Sequence, residues 1–184
     1  MNLKLKILVD NGQTLIEAVV VIAVGIIVVA ALVFATIASL RNSGTAKNQA
    51  QATKLAQEGL EIVRTSRDRD GAINNLSGVN YCWAASCSGM TPIWSARLSQ
   101  DICIPAPSVC YFKITSGDLI SLSITGASLP PPSGGETIGN FTRYVILDDD
   151  ALNYPNWKTV TALVTWSDFA GTHESRVSTF LRKL

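Results

Sequence analysis

The sequence is poor in the residues on which enzymatic and metal chemistry depends, since its 184 residues include one histidine and four cysteines. It contains no glycine-rich phosphate loop, no paired catalytic carboxylates and no stripe of basic and aromatic residues. Its 15 basic and 14 acidic residues nearly cancel, giving a formal net charge of +1, so composition forces no basic surface for nucleic acid. We therefore expect no enzymatic activity, no cofactor and no contact with nucleic acid.

Charge is missing altogether from one long stretch near the N-terminus. Ala18 to Leu40 are 23 consecutive residues without Asp, Glu, Lys or Arg. As a helix rising about 1.5 Å per residue, this stretch would extend roughly 35 Å, which is enough to cross a bilayer. A buried helix of a soluble protein is the weaker interpretation, because such helices rarely need so long an uncharged run.

A conventional secretory cleavage site is also missing. No A-x-A-like group of small residues follows Ser39, so the apolar span is expected to remain in the mature protein. Two basic residues precede the span and three follow it closely, and this count alone opposes a cytoplasmic N-terminus. They are Lys4 and Lys6 before the span, and Arg41, Lys47 and Lys54 after it.

The residues after the span predict that the helix continues. Thr45 to Arg69 contain no proline and are rich in good helix formers, and their apolar residues recur at spacings of three and four. The predicted stripe consists of Ala52, Leu55, Ala56, Gly59, Leu60 and Val63. It should cover a sheet, and Gly71 should follow the end of the helix.

The pattern then changes to period two, which is typical of strands. The predicted strands are Phe112 with Ile114, Ile120 to Ile124, Thr142 to Leu147, Lys158 to Trp166, and His173 to Leu181. Val160, Ala162, Val164 and Trp166 share one face, on which the helix stripe should pack. We therefore predict an α+β fold in which a long N-terminal transmembrane helix packs on a C-terminal antiparallel sheet.

The four cysteines are spaced C-x4-C-x15-C-x6-C, which is not the C-x2-C spacing of a structural zinc site. Disulfides in an oxidising compartment are the favoured interpretation. Pairing of Cys82 with Cys87 and of Cys103 with Cys110 is favoured, because short loops between strands close easily. Four cysteines nevertheless permit three connectivities, and all three stay open at this point.

An acidic run near the third predicted strand is a candidate cation site. Asp148, Asp149 and Asp150 with Asn153 could bind a hard cation such as calcium, but the EF-hand spacing is absent and a solvated turn is commoner. No metal site is therefore expected.

His173 lies near Ser167 and Asp168 in the sequence, a combination that could suggest a hydrolase. No nucleophile elbow or oxyanion loop accompanies these residues. A residue at the start of a hairpin strand is the favoured interpretation of the histidine.

The segment Gly12-Gln13-Thr14-Leu15-Ile16-Glu17, followed by the apolar span, resembles the class III signal of type IV prepilins. Family members usually have Phe or Met where this chain has Gln13. The resemblance implies that a membrane-embedded prepilin peptidase cuts after Gly12 and N-methylates the new amine of Gln13. It also implies that Glu17, the fifth mature residue, pairs with the N-terminal amine of a neighbouring subunit during assembly.

Two further segments are similar to minor pilins and pseudopilins of the PilV and GspI groups. They are Leu55 to Glu61 on the helix, and the closing strand, loop and strand from Lys158 to Leu181. The family resemblance divides the chain into a leader (1–12), an assembly helix (13–40), its amphipathic continuation (41–70) and a globular sheet domain (71–184). The expected partners are prepilin peptidase, other pilin subunits, and the pilus assembly platform with its ATPase.

The resemblance also sets the expected location and leaves two competitors. The precursor would sit in the cytoplasmic membrane as a single-pass protein, with the sheet domain exported and displayed outside the cell or in the periplasm. The alternatives are a single-span surface receptor or adhesin that never polymerises, and a membrane-tethered hydrolase. Glu17 also has a second interpretation, an interfacial carboxylate that faces lipid headgroups.

Overall fold

The structure is a computed structural model that describes residues 10–98, 102–103, 109–122, 131, 133–150 and 152–184, with side chains from Leu15 onward. A single helix, α1 (Asp10–Asp68), is followed by β1 (Ala72–Leu76), β2 (Val79–Cys82), β3 (Thr91–Pro92), β4 (Cys110–Thr115), β5 (Asp118–Ser121), β6 (Glu136–Ile138), β7 (Phe141–Asp149), β8 (Trp157–Asp168) and β9 (Gly171–Arg182). The chain divides into two compact units, Met1–Asn48 and Gln49–Leu184.

Helix α1 ends in a Schellman motif, which satisfies the last carbonyl groups of the helix. The Gly71 N–H donates to the Ser66 carbonyl at 2.7 Å, and the Asp70 N–H donates to the Arg67 carbonyl at 3.1 Å. Asp70, with φ of 56°, adopts the left-handed conformation, although Gly71 was the residue expected to end the helix. Gly71 is needed for another reason, since a Cβ there would lie 2.3 Å from the Ser66 hydroxyl.

The strands form one mixed sheet in the order β3-β2-β1-β5-β4-β7-β8-β9, with β6 added beside β7. Most neighbouring pairs are antiparallel, whereas β1 with β5 and β2 with β3 are parallel. The five predicted strands correspond to β4, β5, β7, β8 and β9. Ile124, the last residue of the second predicted strand, lies outside the described residues.

The part of α1 inside the second unit packs on this sheet, which confirms the predicted α+β architecture. Ala52, Ala56, Leu60 and Val63 are at most 5% exposed. They share one core with the predicted face of β8, Val160, Ala162, Val164 and Trp166. Because apolar side chains on both elements leave water together, this burial is the main force that holds the helix on the sheet.

Small residues on α1 let the helix approach the sheet closely. A Cβ on Gly59 would lie 3.0 Å from the Arg143 Cδ and 3.6 Å from the Ala162 Cβ. Gly59 therefore does more than interrupt a run of good helix formers, because it makes room for a long side chain that passes under the helix. The cost of a mid-helix glycine, about 0.5–1 kcal/mol relative to alanine, is offset by that packing.

All four cysteines are paired in the connectivity favoured from the sequence. Cys82 joins Cys87 with Cα atoms 6.6 Å apart, and Cys103 joins Cys110 with Cα atoms 5.5 Å apart. The first bridge follows β2 and leads toward β3, and the second ends at the first residue of β4.

Candidate functional site: the N-terminal helix

The first half of α1 exposes apolar side chains all the way around. The large apolar residues from Leu15 to Leu40 are 42% to 73% exposed, with Ile37 the least and Phe34 the most. A helix that is apolar on every face is stable only where lipid or other apolar helices surround it. Among the described residues, α1 is the one helix long and apolar enough to cross a membrane.

The hydroxyl group of Thr36, the one threonine in the uncharged run, forms a hydrogen bond within the helix. The Thr36 Oγ1 donates to the Leu32 carbonyl at 2.7 Å. This hydrogen bond matters in an apolar medium. A polar group that has left water and finds no partner there costs about several kcal/mol of free energy. The span can therefore be surrounded by lipid without leaving this hydroxyl unpaired.

The residues singled out for processing and assembly lie at the start of the same helix. Gly12 and Gln13 belong to α1, but their side chains lie outside the described residues. Glu17 is exposed, and it has no hydrogen-bond or ion-pair partner among the residues that the structure describes. A carboxylate in this position, one residue before the uncharged run, is stabilised by solvent, by lipid headgroups or by a positive charge brought close to it.

A buried arginine that sequence reasoning missed fixes the lower half of α1 to the sheet. Arg143 on β7 has a side chain only 3% exposed. Its Nη1 donates to the Leu55 carbonyl at 3.0 Å, and its Nε donates to the Glu136 Oε2 at 2.8 Å. Arg143 thus joins the helix to β6 and β7, directly beneath Gly59.

The acidic run does not converge on a cation site. Asp150 accepts hydrogen bonds from the Asn153 side chain and from the backbone N–H of Leu152, which lower the pKa of its carboxyl group. Asp149 instead pairs with Lys158. Burial raises the pKa of Asp148. No group of three or more metal-binding side chains occurs in the described part of the chain.

The histidine and its acidic neighbour come together, but the serine does not join them. The His173 Nε2 lies 2.8 Å from the Asp168 Oδ1, and the ring stacks on Trp166 with centroids 5.4 Å apart. The Ser167 hydroxyl pairs with the Thr172 hydroxyl at 3.2 Å. The histidine therefore packs as a residue of the β8–β9 hairpin, as the sequence analysis favoured.

A second buried cation, Lys158, begins the apolar face of β8. Its side chain is fully buried, and burial lowers its pKa. Period two could have revealed it, because Lys158 is in phase with Val160 and Ala162 on the face predicted to meet the helix. Arg143 is likewise in phase with the buried Val145 of β7. The face predicted for β8 began at Val160 and so left out Lys158, and no face was predicted for β7.

The fold and the helix together define an α+β protein that carries one N-terminal helix long and apolar enough to span a membrane once. Its sheet unit is closed by two disulfides. Comparisons with protein-family models, with curated proteins and with solved structures found no match.

Proposed function

We propose that this chain is the precursor of an exported, helix-anchored filament subunit of the type IV pilin and pseudopilin class. The segments that resemble PilV favour a minor subunit over an abundant one. In this proposal the chain is cut after Gly12 and polymerises through α1. The observation that carries it is Glu17, an exposed carboxylate at the edge of an uncharged helical run that has no partner among the described residues.

The energetics of Glu17 favour a partner from another molecule. An ionised side chain carried unpaired to the bilayer centre costs about 2.5–3.5 kcal/mol. Cleavage after Gly12 would create a positively charged amine on Gln13, four residues before the carboxylate. When two processed helices pack side by side, that amine can neutralise the Glu17 of its neighbour and set their axial register.

The exposed face of α1 supplies the second driving term. Apolar side chains from Leu15 to Leu40 cover the whole circumference of the helix. They contact lipid before assembly and sister helices afterwards, and closer van der Waals packing between helices than with lipid favours the filament. The activity proposed for the protein is polymerisation, with the assembly platform and its ATPase supplying the work.

The mature N-terminus tests the processing step. In cells that contain prepilin peptidase, mass analysis should find a chain that begins at N-methylated Gln13. The variant Gln13→Phe, which restores the residue usual in the family, is the matched control and should be processed at least as completely. An intact Met1 in the same cells would overturn the proposal and favour a single-span receptor or adhesin.

The role of Glu17 is tested separately from cleavage. Glu17→Ala should still be cut after Gly12 but should be absent from sheared filaments or from the assembled pseudopilus. The variant Thr36→Ala changes another polar side chain of the same span and should assemble normally. Normal incorporation of Glu17→Ala would refute the assembly role of the carboxylate.

A further inference from the structure

Lys158 and Asp149 form an enclosed pair at one end of the β7–β8 hairpin. They face each other directly in the antiparallel register. The lysine side chain is 0% exposed and the aspartate side chain is 10% exposed, and the Lys158 Nζ contacts the Asp149 Oδ1. The same Nζ donates to the Ala96 carbonyl at 2.6 Å and lies 5.0 Å from the ring centroid of Tyr154.

This environment favours a neutral amine more than water does. Burial is the largest influence on Lys158 and lowers its pKa, while Asp149 and then Asp148 oppose that effect. Removing an ammonium group from water costs several kcal/mol, so burial lowers the free-energy cost of the neutral amine relative to the charged one.

Enclosure also limits what the amine can react with. A lysine that is fully buried cannot meet an electrophile from solution. The Nζ contacts the Ala96 carbonyl and the Asp149 carboxyl group. Attack on the Ala96 carbonyl would break the main chain, whereas attack on the Asp149 carboxyl carbon would release only water. The Ala96 carbonyl holds one N–H of the amine, which restricts rotation and keeps the nitrogen against the carboxyl group.

We propose that Lys158 and Asp149 join through an intramolecular amide bond in the folded protein. A proton first passes from the ammonium to the carboxylate, which gives a neutral amine and a carboxylic acid. The Nζ attacks the Asp149 Cγ and forms the C–N bond. The C–O bond then breaks, and the hydroxyl leaves with a proton from the nitrogen as one molecule of water. No oxidant, reductant or further reactant is needed.

The cross-link would tie β7 to β8 covalently across residues 150–157. It depends only on contacts inside the second unit, so it stands independently of the proposed filament function. The competing account is a buried ion pair that makes the same contacts without forming a bond. The two accounts differ in covalent mass, which a direct measurement reads without any substitution.

The test uses the full-length protein, purified in folded form and then reduced before analysis. Its intact mass should be lower, by the mass of one water, than the mass calculated from the sequence with all four cysteines reduced. Trypsin needs a free lysine side chain at its cleavage site, so cleavage after Lys158 should fail. Residues 144–176, between the sites at Arg143 and Arg176, should then appear as one peptide that is also lighter by one water.

Two variants serve as controls in the same experiment. Asp149→Ala should show the full sequence mass of the variant and normal cleavage after Lys158. Lys158→Arg, which keeps the positive charge but removes the amine, should also show its full sequence mass.

Two results would overturn the proposal. If the unmodified sequence mass and free cleavage after Lys158 are found, the pair is an ion pair only. If water is lost but trypsin still cuts after Lys158, the loss belongs to another residue, such as a cyclised aspartate. Neither result bears on the mature N-terminus, so failure of this proposal is distinguishable from failure of the filament proposal.

Discussion

Removal of the Arg143 guanidinium should destabilise the sheet unit far more than removal of an exposed guanidinium elsewhere in it. In Arg143→Met the Leu55 carbonyl loses its side-chain donor, and the Glu136 carboxylate loses its ion-pair partner. Breaking a fully buried ion pair costs about 3–5 kcal/mol. Because the Glu136 side chain is 26% exposed and can partly rehydrate, we expect a smaller loss, about 2–4 kcal/mol.

Arg176→Met provides the matched control. Arg176 also pairs with a glutamate, Glu174, but the two side chains are 40% and 51% exposed. An exposed pair of this kind contributes about 0–1 kcal/mol. The two variants therefore make the same chemical change and differ mainly in burial.

The assay is unfolding in urea followed by tryptophan fluorescence, with the full chain held in detergent. All four tryptophans lie in the second unit, so the signal reports the sheet and not the apolar span; they are Trp83, Trp94, Trp157 and Trp166. The difference between the two variants should be at least about 1 kcal/mol in unfolding free energy. Equal losses would refute the inference that burial makes the Arg143 contacts important.

Three further changes test the core, a disulfide and an ion pair, each by unfolding of the full chain. Leu60→Ala should lower the unfolding free energy by about 2–4 kcal/mol, because Leu60 is 5% exposed. Leu152→Ala, at a position 93% exposed, is the control and should change it by less than about 0.5 kcal/mol. Similar losses in the two variants would contradict the packing of the helix on the sheet. Replacing Cys103 and Cys110 together by alanine should lower stability by about 2 kcal/mol, since their bridge closes a short loop, and insensitivity to this change would mean that the bridge does not form. The backbone N–H of Ala170 and then the His173 ring lower the pKa of Asp168 from its usual value of 3.8. The charged carboxylate therefore stabilises the fold above pH 3.8, and this stabilisation is lost as the pH falls through the lower pKa of the folded state. Asp168→Asn should remove that part of the acid-induced loss, and an unchanged acid profile would contradict the assigned cause.

The uncharged run and the positions of the main strands could be read from the sequence because they depend on local pattern. Ala18 to Leu40 contain no charged residue, and a length argument suffices to make that run a membrane-spanning candidate. The alternation in β8 and the stripe on α1 match periods of 2 and 3.6, which also identified the faces that meet in the core. The short strands β1, β2, β3 and β6 were missed, since runs of two to five residues carry little periodicity.

Of the candidate site, the sequence could predict the residues that are contiguous in the chain but not the contacts between distant residues. The motif from Gly12 to Glu17 is contiguous, so its resemblance to a prepilin signal is visible in the sequence alone. Pairing of Glu17 depends on where a positive charge lies in three dimensions, which a contiguous motif does not encode. The contacts of Arg143 and Lys158 depend on residues far away in sequence, which pattern reasoning does not reach.

The sequence by itself therefore determined an apolar helix, an amphipathic continuation and a sheet of alternating strands, because each follows from the order of apolar and polar residues. Only the tertiary structure decided which charged residues leave water. Arg143 and Lys158 are buried because packing α1 and the 93–98 segment over the sheet covers them, and each is then held by a carboxylate and a backbone carbonyl. Glu17 lies on the part of the helix that no other described element of its own unit covers, and its side chain is exposed.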